Sequence, residues 1–534
     1  MYDLLIRGGK IVDGTGSPWF YGDVYIAGDV IARIARARAC PGGQARRIIW
    51  AEGRIVAPGF IDIHSHSDDS LLVDPGAESK IRQGVTTEVI GNCGYSLAPA
   101  VGAARYVIQK DMDRFSLQVG WSSFAEYLDA LDRAHPYVNM AALVGHGTIR
   151  TAVVGEARRA PASYELEKMK QLTAEAMRDG AFGLSTGLIY PPSCYADTGE
   201  LIALAAVAAQ YGGIYASHIR DEGDRVEEAV GEAILIGERA RVAVEISHHK
   251  ASGEPNWGKV RHTLAMMQEA RSRGVDVACD VYPYTASSTG LDVILPGWVS
   301  DGGTAELIRR LKDPAIREEL RGFIEREEGQ MRGWDKTVIA QVRTAKNRAL
   351  EGKNLAQIAG ELGKSPFDVA IDLIIDEEAA VQVIRFGMCE EDVRAVLSHP
   401  ISSIGSDAGA RSTSGPLSAG KPHPRAYGTF PRVLARYVRE EGVLCLEDAI
   451  RKMTSAPACR LGLSRRGVIL PGAFADIVIF DEGRITDEAT FENPHRYPSG
   501  IDYVIVNGKV AVEDGMVTGM RPGRVIRKSF FIDS

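Results

Sequence analysis

Paired cysteines are missing from this 534-residue chain: the seven, Cys40, Cys93, Cys194, Cys279, Cys389, Cys445 and Cys459, are scattered and form no C-x-x-C. An odd, dispersed set argues against a disulfide framework and for a reducing compartment. Long apolar runs are missing too. The longest, Leu201 to Ala209, falls far short of the ~20 residues that span a bilayer. There is no basic block either; 62 Lys and Arg against 70 Asp and Glu leave a net charge of −8. Nucleic acid is therefore not an expected partner, because phosphate binding needs clustered cations. The opening residues, Met1-Tyr-Asp-Leu-Leu-Ile-Arg7, lack a basic segment followed by an apolar one, so no secretory signal is read there. The expectation is a cytoplasmic protein with no membrane or nucleic-acid partner and an oligomeric state left open. Repeats and low-complexity tracts are also missing, and a hydrophobic content of 45% with 25% charged residues is ordinary for a soluble globular chain.

What is present falls into two styles. Residues 1–57 are short β-like pieces broken by glycine, and the segment from about residue 470 to 534 repeats the style, with Asn507-Gly508 a strong two-residue hairpin signal. One small β-sandwich domain built from both termini, 1–57 and 470–534, is expected. Between them, in 58–469, short apolar runs alternate with helical stretches, the pattern of a parallel sheet. Eight candidate strands are legible: 60–63, 86–90, 139–144, 181–184, 213–216, 243–246, 275–281 and 402–404. That is an α/β chain with a TIM-like (β/α)8 barrel. The connection from the seventh strand to the eighth is too long for one helix, and 285–342 is expected to be an insertion over the barrel mouth.

Chemistry collects at the ends of these strands. The first ends in Ile63-His64-Ser-His66, where alternation projects two imidazoles together. The second ends Ile90-Gly-Asn-Cys93, the fifth Ala216-Ser-His218, the sixth Ile246-Ser-His248-His249-Lys250 and the eighth Gly405-Ser-Asp407. Parallel barrel strands all point their C-termini at one mouth, so these distant residues should converge on a metal. Cys93, flanked by glycines on a sharp turn, can present a thiolate. Alternation sends His248 and His249 to opposite sides; His248 is the expected ligand and His249 the alternative. His146 either lines the pocket or is structural. Asp407 suits general acid/base work beside an activated water.

Two apparent motifs carry nothing. Gly183-Leu-Ser-Thr-Gly187 has the spacing of a serine nucleophile elbow, but Pro191-Pro192 follows where a helix should start. Gly415 to Lys421 has phosphate-loop spacing, but Pro422 stands where a Ser or Thr should hold magnesium.

The chain resembles the amidohydrolase superfamily and, within it, the D-aminoacylases, or N-acyl-D-amino-acid deacylases. The resemblance runs through nearly the whole length: Pro58-Gly-Phe-Ile-Asp-Ile-His-Ser-His66, Gly84-Val-Thr-Thr87, Gly91-Asn-Cys-Gly94, Phe182 to Tyr190, Ser217-His-Ile-Arg-Asp-Glu222, Ile246-Ser-His-His-Lys250, Asp280-Val-Tyr-Pro-Tyr284, Ser406-Asp407 and His423-Pro-Arg425. It implies zinc held tightly by Cys93, His218 and His248, with His64 and His66 as a weaker second position. It also implies Asp407 as general acid/base, Lys250, Tyr282 and Arg425 as a clamp for the substrate α-carboxylate, and Tyr190 at the scissile acyl group. The implied reaction hydrolyses the amide of an N-acyl-D-amino acid. The stretch 408–422 departs from the family pattern and is expected to reshape the side-chain pocket. Two rivals stand beside this reading. A cyclic-amide hydrolase of the hydantoinase or dihydroorotase type shares the fold, but such relatives bridge two metals with a carboxylated lysine at the end of strand four, where this chain has Ser185. A non-catalytic scaffold of the same fold is opposed by the intact ligand set and Asp407.

Overall fold

The structure, a computed structural model, describes residues 1–36, 44–326 and 333–529. Eight parallel strands form the central barrel: β1 Phe60–Asp62, β2 Val85–Ile90, β3 Asn139–Ala142 with its continuation Val144–Gly145, β4 Gly183–Gly187, β5 Ile214–His218, β6 Ala243–Ile246, β7 Val277–Val281 and β8 Ser402–Ile404. Each pairs with the next in sequence order. The ring closes where β8 runs past β1: Asp407 N donates to His64 O at 2.7 Å and His66 N to Ala408 O at 3.2 Å. Helices cover the outside, so nearly every strand residue is buried, as the near-continuous apolar runs in the sequence require.

A buried charge stitches this seam. Lys80, on the approach to β2, donates to Asp62 at 2.6 Å, to Ser406 Oγ at 2.6 Å and to Ala408 O at 2.7 Å. One ammonium thus ties the end of β1 to the turn after β8, with every donor used, which is the condition under which a buried charge is tolerated.

Strands from the two termini merge into one nine-stranded sheet, its hydrogen bonds running continuously rather than in two separate sheets. The joint is Ile55–Pro58 lying antiparallel to Ile477–Phe480. Asn507 and Gly508 take left-handed φ values of 48° and 74° and turn the hairpin between Ile501–Val506 and Lys509–Glu513. Residues 37–43 and 530–534 of the segments assigned to this domain lie outside the described residues. Beyond the sheet the chain returns to the floor of the barrel, where Met140 N donates to Arg524 O, Ile526 N to Met140 O and Lys528 N to Gly180 O.

The excursion between β7 and β8 is longer than 285–342. Strand Gln382–Phe386 lies between Ala286–Gly290 and Thr337–Gln341 in a three-stranded antiparallel sheet, so the inserted lobe reaches Phe386. Its helices, Thr304–Leu311, Pro314–Arg326, Leu355–Leu362 and Pro366–Asp376, bury a core of their own around Leu311, Leu320, Ile358, Ile371 and Val383. Residues 327–332 of the expected insertion lie outside the described residues. Among the described residues, no helix is long and apolar enough to cross a membrane.

Candidate metal centre and active site

The strand ends bring together the residues singled out in the sequence. Cys93 Sγ lies 3.3 Å from His64 Nε2 and 3.5 Å from His248 Nε2. Two overlapping donor groups result, Cys93 with His218 and His248, and Cys93 with His64, His66 and Asp407; within each, the ligand atoms all lie within 4.8 Å of one another. Cys93 belongs to both, which suits a bridge. It gets there by a tight turn. Gly91 has φ 76°, and a Cβ on it would stand 2.0 Å from Leu143 O; a Cβ on Gly187 of β4 would stand 2.1 Å from Cys93 O. Only glycines allow this approach. Cys93, His248 and Asp407 themselves hold left-handed φ values of 52°, 36° and 51°. Such backbone costs about 1–3 kcal/mol per residue and concentrates at functional sites.

The donor chemistry fits a zinc-like ion. Both ring nitrogens of His218 are buried without a hydrogen-bond partner among the described residues. Burial holds that imidazole neutral, its pKa below the usual value even though Glu222 pulls the other way. At Cys93 burial favours the thiol, but the nearby His64 and His248 outweigh it and push the group well below its ordinary value, toward thiolate. His248 and His249 point to opposite sides, although both lie past the end of β6 in a turn rather than in the strand. His248 faces Cys93, whereas His249 Nε2 meets Thr263 Oγ1 at 2.8 Å on the outer side, and burial lowers its pKa to about 3. His146 is structural: its nitrogens contact Ser193 Oγ at 3.0 Å and Glu200 at 2.9 Å in a buried network with Arg150.

Asp407 leans over the centre. Its Oδ1 lies 3.0 Å from His66 Nε2 and 3.5 Å from His64 Nε2, and its Oδ2 lies 2.9 Å from an Arg425 guanidinium nitrogen. Burial would raise its pKa, but Arg425, His248 and His66 hold it well below the usual carboxylate range. The clamp candidates converge on one ring: Lys250 Nζ stands 5.7 Å and Arg425 Cζ 4.6 Å from the centre of Tyr282. Tyr282 Oη is buried without a hydrogen-bond partner among the described residues, and burial pushes the phenol up to about 12, so it is a neutral donor. Tyr190 packs edge-on against His218 at 5.1 Å and bonds Thr289 of the inserted lobe at 2.9 Å. The arrangement can hold a metal and offers a carboxylate base, with cations and phenols beside it.

The sequence alone gives no role to Asp280, which orients the His64 imidazole and holds the backbone of His248. Its Oδ2 contacts His64 Nδ1 at 3.2 Å and its Oδ1 accepts from His248 N at 2.8 Å. Its signal was available: an acid one residue before the end of β7. Strand β4 brings Ser185, Thr186 and Gly187 to the mouth and no lysine, so the metal-bridging lysine of a hydantoinase-like centre has no counterpart there.

Comparison with known proteins agrees. Residues 47–512 match the model of the amidohydrolase family. D-aminoacylase of Alcaligenes xylosoxydans xylosoxydans is 38% identical over 99% of this chain and 98% of its own length. N-acyl-D-glutamate deacylase of the same organism is 39% identical over 98% and 96%. The crystal structure of N-acyl-D-glutamate deacylase from Bordetella bronchiseptica, complexed with zinc and a phosphonate mimic of the tetrahedral intermediate, superposes with a TM-score of 0.82 at 36% identity, over 98% of this chain and 99% of that one.

Proposed function

The chain belongs to the amidohydrolase family, and from that membership and its site geometry we propose that it is a zinc-dependent deacylase, hydrolysing N-acyl-D-amino acids to a carboxylate and a free D-amino acid. The observation that carries this reading is the placement of Cys93 Sγ 3.3 Å from His64 and 3.5 Å from His248, beneath a carboxylate, Asp407, that is buried and ionised.

Cys93, His218 and His248 would hold the tight zinc, and His64 and His66 the weaker position. When bound, zinc supplies Lewis acidity toward water and the acyl carbonyl. Asp407 accepts the proton of the attacking water through Oδ1 and returns it to the departing amine. Tyr190, a neutral phenol because burial and the neighbouring Cys93 push its pKa well above 10, donates toward the developing oxyanion. Lys250, Tyr282 and Arg425 receive the α-carboxylate, Arg425 as a fork and Lys250 as a point charge. Arg425 already pairs with Asp407 at 2.9 Å, so an arriving carboxylate shares a guanidinium that also holds the base in place. A cytoplasmic location belongs to the same proposal and is supported by six free thiols among the described cysteines.

Amine release from a panel of N-acetyl-D- and N-acetyl-L-amino acids, with zinc present, tests the reading. Turnover of D substrates, lost on chelation and restored by zinc, is expected. Release from the L series alone, or from neither, rejects it.

A further inference from the structure

Glu222, in the loop after β5, has no part in the mechanism above, yet it contacts two metal-ligand candidates and the clamp. Its Oε1 lies 2.6 Å from Lys250 Nζ, 3.0 Å from His248 Nδ1 and 3.8 Å from His218 Nε2, with its side chain only 16% exposed. We propose that Glu222 is a positioning residue that ties the metal centre to the carboxylate clamp, so that zinc affinity and substrate affinity both depend on this one group.

The argument begins with the tautomer of His248. That ring turns Nε2 toward Cys93 at 3.5 Å, so a metal shared with the thiolate would take Nε2 and leave the proton on Nδ1. A carboxylate accepting from the far nitrogen of a metal-ligating histidine fixes its tautomer and orientation and makes it a better ligand. Lys250 Nζ, however, also stands 2.8 Å from Nδ1. With the proton on Nδ1 both nitrogens are donors, and Glu222 Oε1, 2.6 Å from Nζ and 3.0 Å from Nδ1, is the anion they share. The same bond aims the lysine along the face of Tyr282. The backbone secures the link, with Ser252 N donating to Glu222 O at 2.6 Å and clipping the loop after β6 to the loop after β5. Glu222 therefore acts through His248 and Lys250 rather than on reacting atoms.

The substrate half of this inference rests on the deacylase reading; the metal half does not. The test separates them. Zinc affinity of the full-length protein is measured by chelator competition for wild type, E222Q and K250M, with thermal unfolding as a folding check, and KM for N-acetyl-D-leucine is measured at saturating zinc. E222Q is expected to weaken zinc by about 10–100-fold and to raise KM by about tenfold, because a misaimed lysine loses a charge-assisted bond. K250M is expected to raise KM while zinc affinity stays near the wild-type value. A folded E222Q that binds zinc as tightly as wild type overturns the proposal, as does an unchanged KM at saturating zinc, or a K250M that loses zinc as severely as E222Q. If E222Q does not fold, E222D carries the test: it keeps the charge but shortens the reach, so an intermediate loss of zinc affinity supports the proposal and wild-type affinity overturns it. A wild type that binds zinc but turns over no N-acyl-D-amino acid would reject the deacylase reading while the zinc titration still reads Glu222.

Discussion

At the scale of single residues the site is a set of opposed forces on a few side chains. Asp407 is buried, which favours its neutral form, yet Arg425, His248 and His66 surround it and keep it ionised. It holds a left-handed backbone, φ 51°, that a non-glycine residue adopts only under constraint. Here the constraint is visible: its own N–H donates to His64 O across the barrel seam. The side chain is thereby aimed at the metal centre without belonging to the Cys93, His218, His248 group. Asp407→Asn keeps the shape and removes the base. Zinc content measured on the purified variant should match wild type, while kcat should fall by about 10²–10⁴-fold, the usual worth of general acid/base catalysis. Zinc loss equal to the activity loss would make Asp407 a ligand rather than a base.

At the scale of elements, the barrel strands set direction and the turns after them set distance. Beneath the mouth, the helix Leu446–Met453 inserts Lys452 against the turn leading into β8, where it donates to His399 O and to Ser402 O and Oγ. Burial depresses this lysine to about 8 from 10.5, although Asp448 pulls the other way. The unfolded chain therefore keeps its proton between pH 8 and 10.5 while the folded chain gives it up, so stability from this group rises with pH across that window. Urea unfolding at pH 8.0 and 9.5 should show wild type gaining on Lys452→Met as pH rises, by up to about 1.4 kcal/mol per pH unit. A difference independent of pH would mean that the three acceptors hold the ammonium charged.

At the scale of the molecule, both ends of the chain return to one body. The amino-terminal strands reach the carboxy-terminal ones through Ile55–Pro58 and Ile477–Phe480, and the final described segment then laces the barrel floor. Cutting the chain after Gly519 would remove the backbone bonds that join Gly523, Arg524, Ile526 and Lys528 to Pro136, Met140 and Gly180. At about 1 kcal/mol for each of four bonds, unfolding in urea should show a loss of about 4 kcal/mol, with zinc affinity unchanged because the metal centre lies at the opposite end of the strands. Loss of zinc together with stability would show that the floor and mouth are coupled.

By itself the sequence determined what periodicity and local chemistry can encode. Apolar runs long enough for parallel strands, glycines at the turns, and histidine, cysteine or aspartate one or two residues past a strand end were enough for the barrel and for the residues that meet at its mouth. Which of His248 and His249 faces Cys93 was left to the structure, because both lie past the end of β6 and His248 turns through a left-handed backbone. Only the tertiary structure decided which groups share a partner. Arg425 pairing with Asp407, Asp280 serving both His64 and His248, and Glu222 serving both His248 and Lys250 join positions 18 to 216 residues apart, and no spacing in the chain records such a contact. The reach of the inserted lobe to Phe386 was hidden for the same reason. Its last strand completes a sheet with partners 45 and 96 residues earlier, counted from Gln382 to Thr337 and to Ala286. Side chains at strand ends are placed by the barrel, but their charges and tautomers are set by neighbours that only folding supplies.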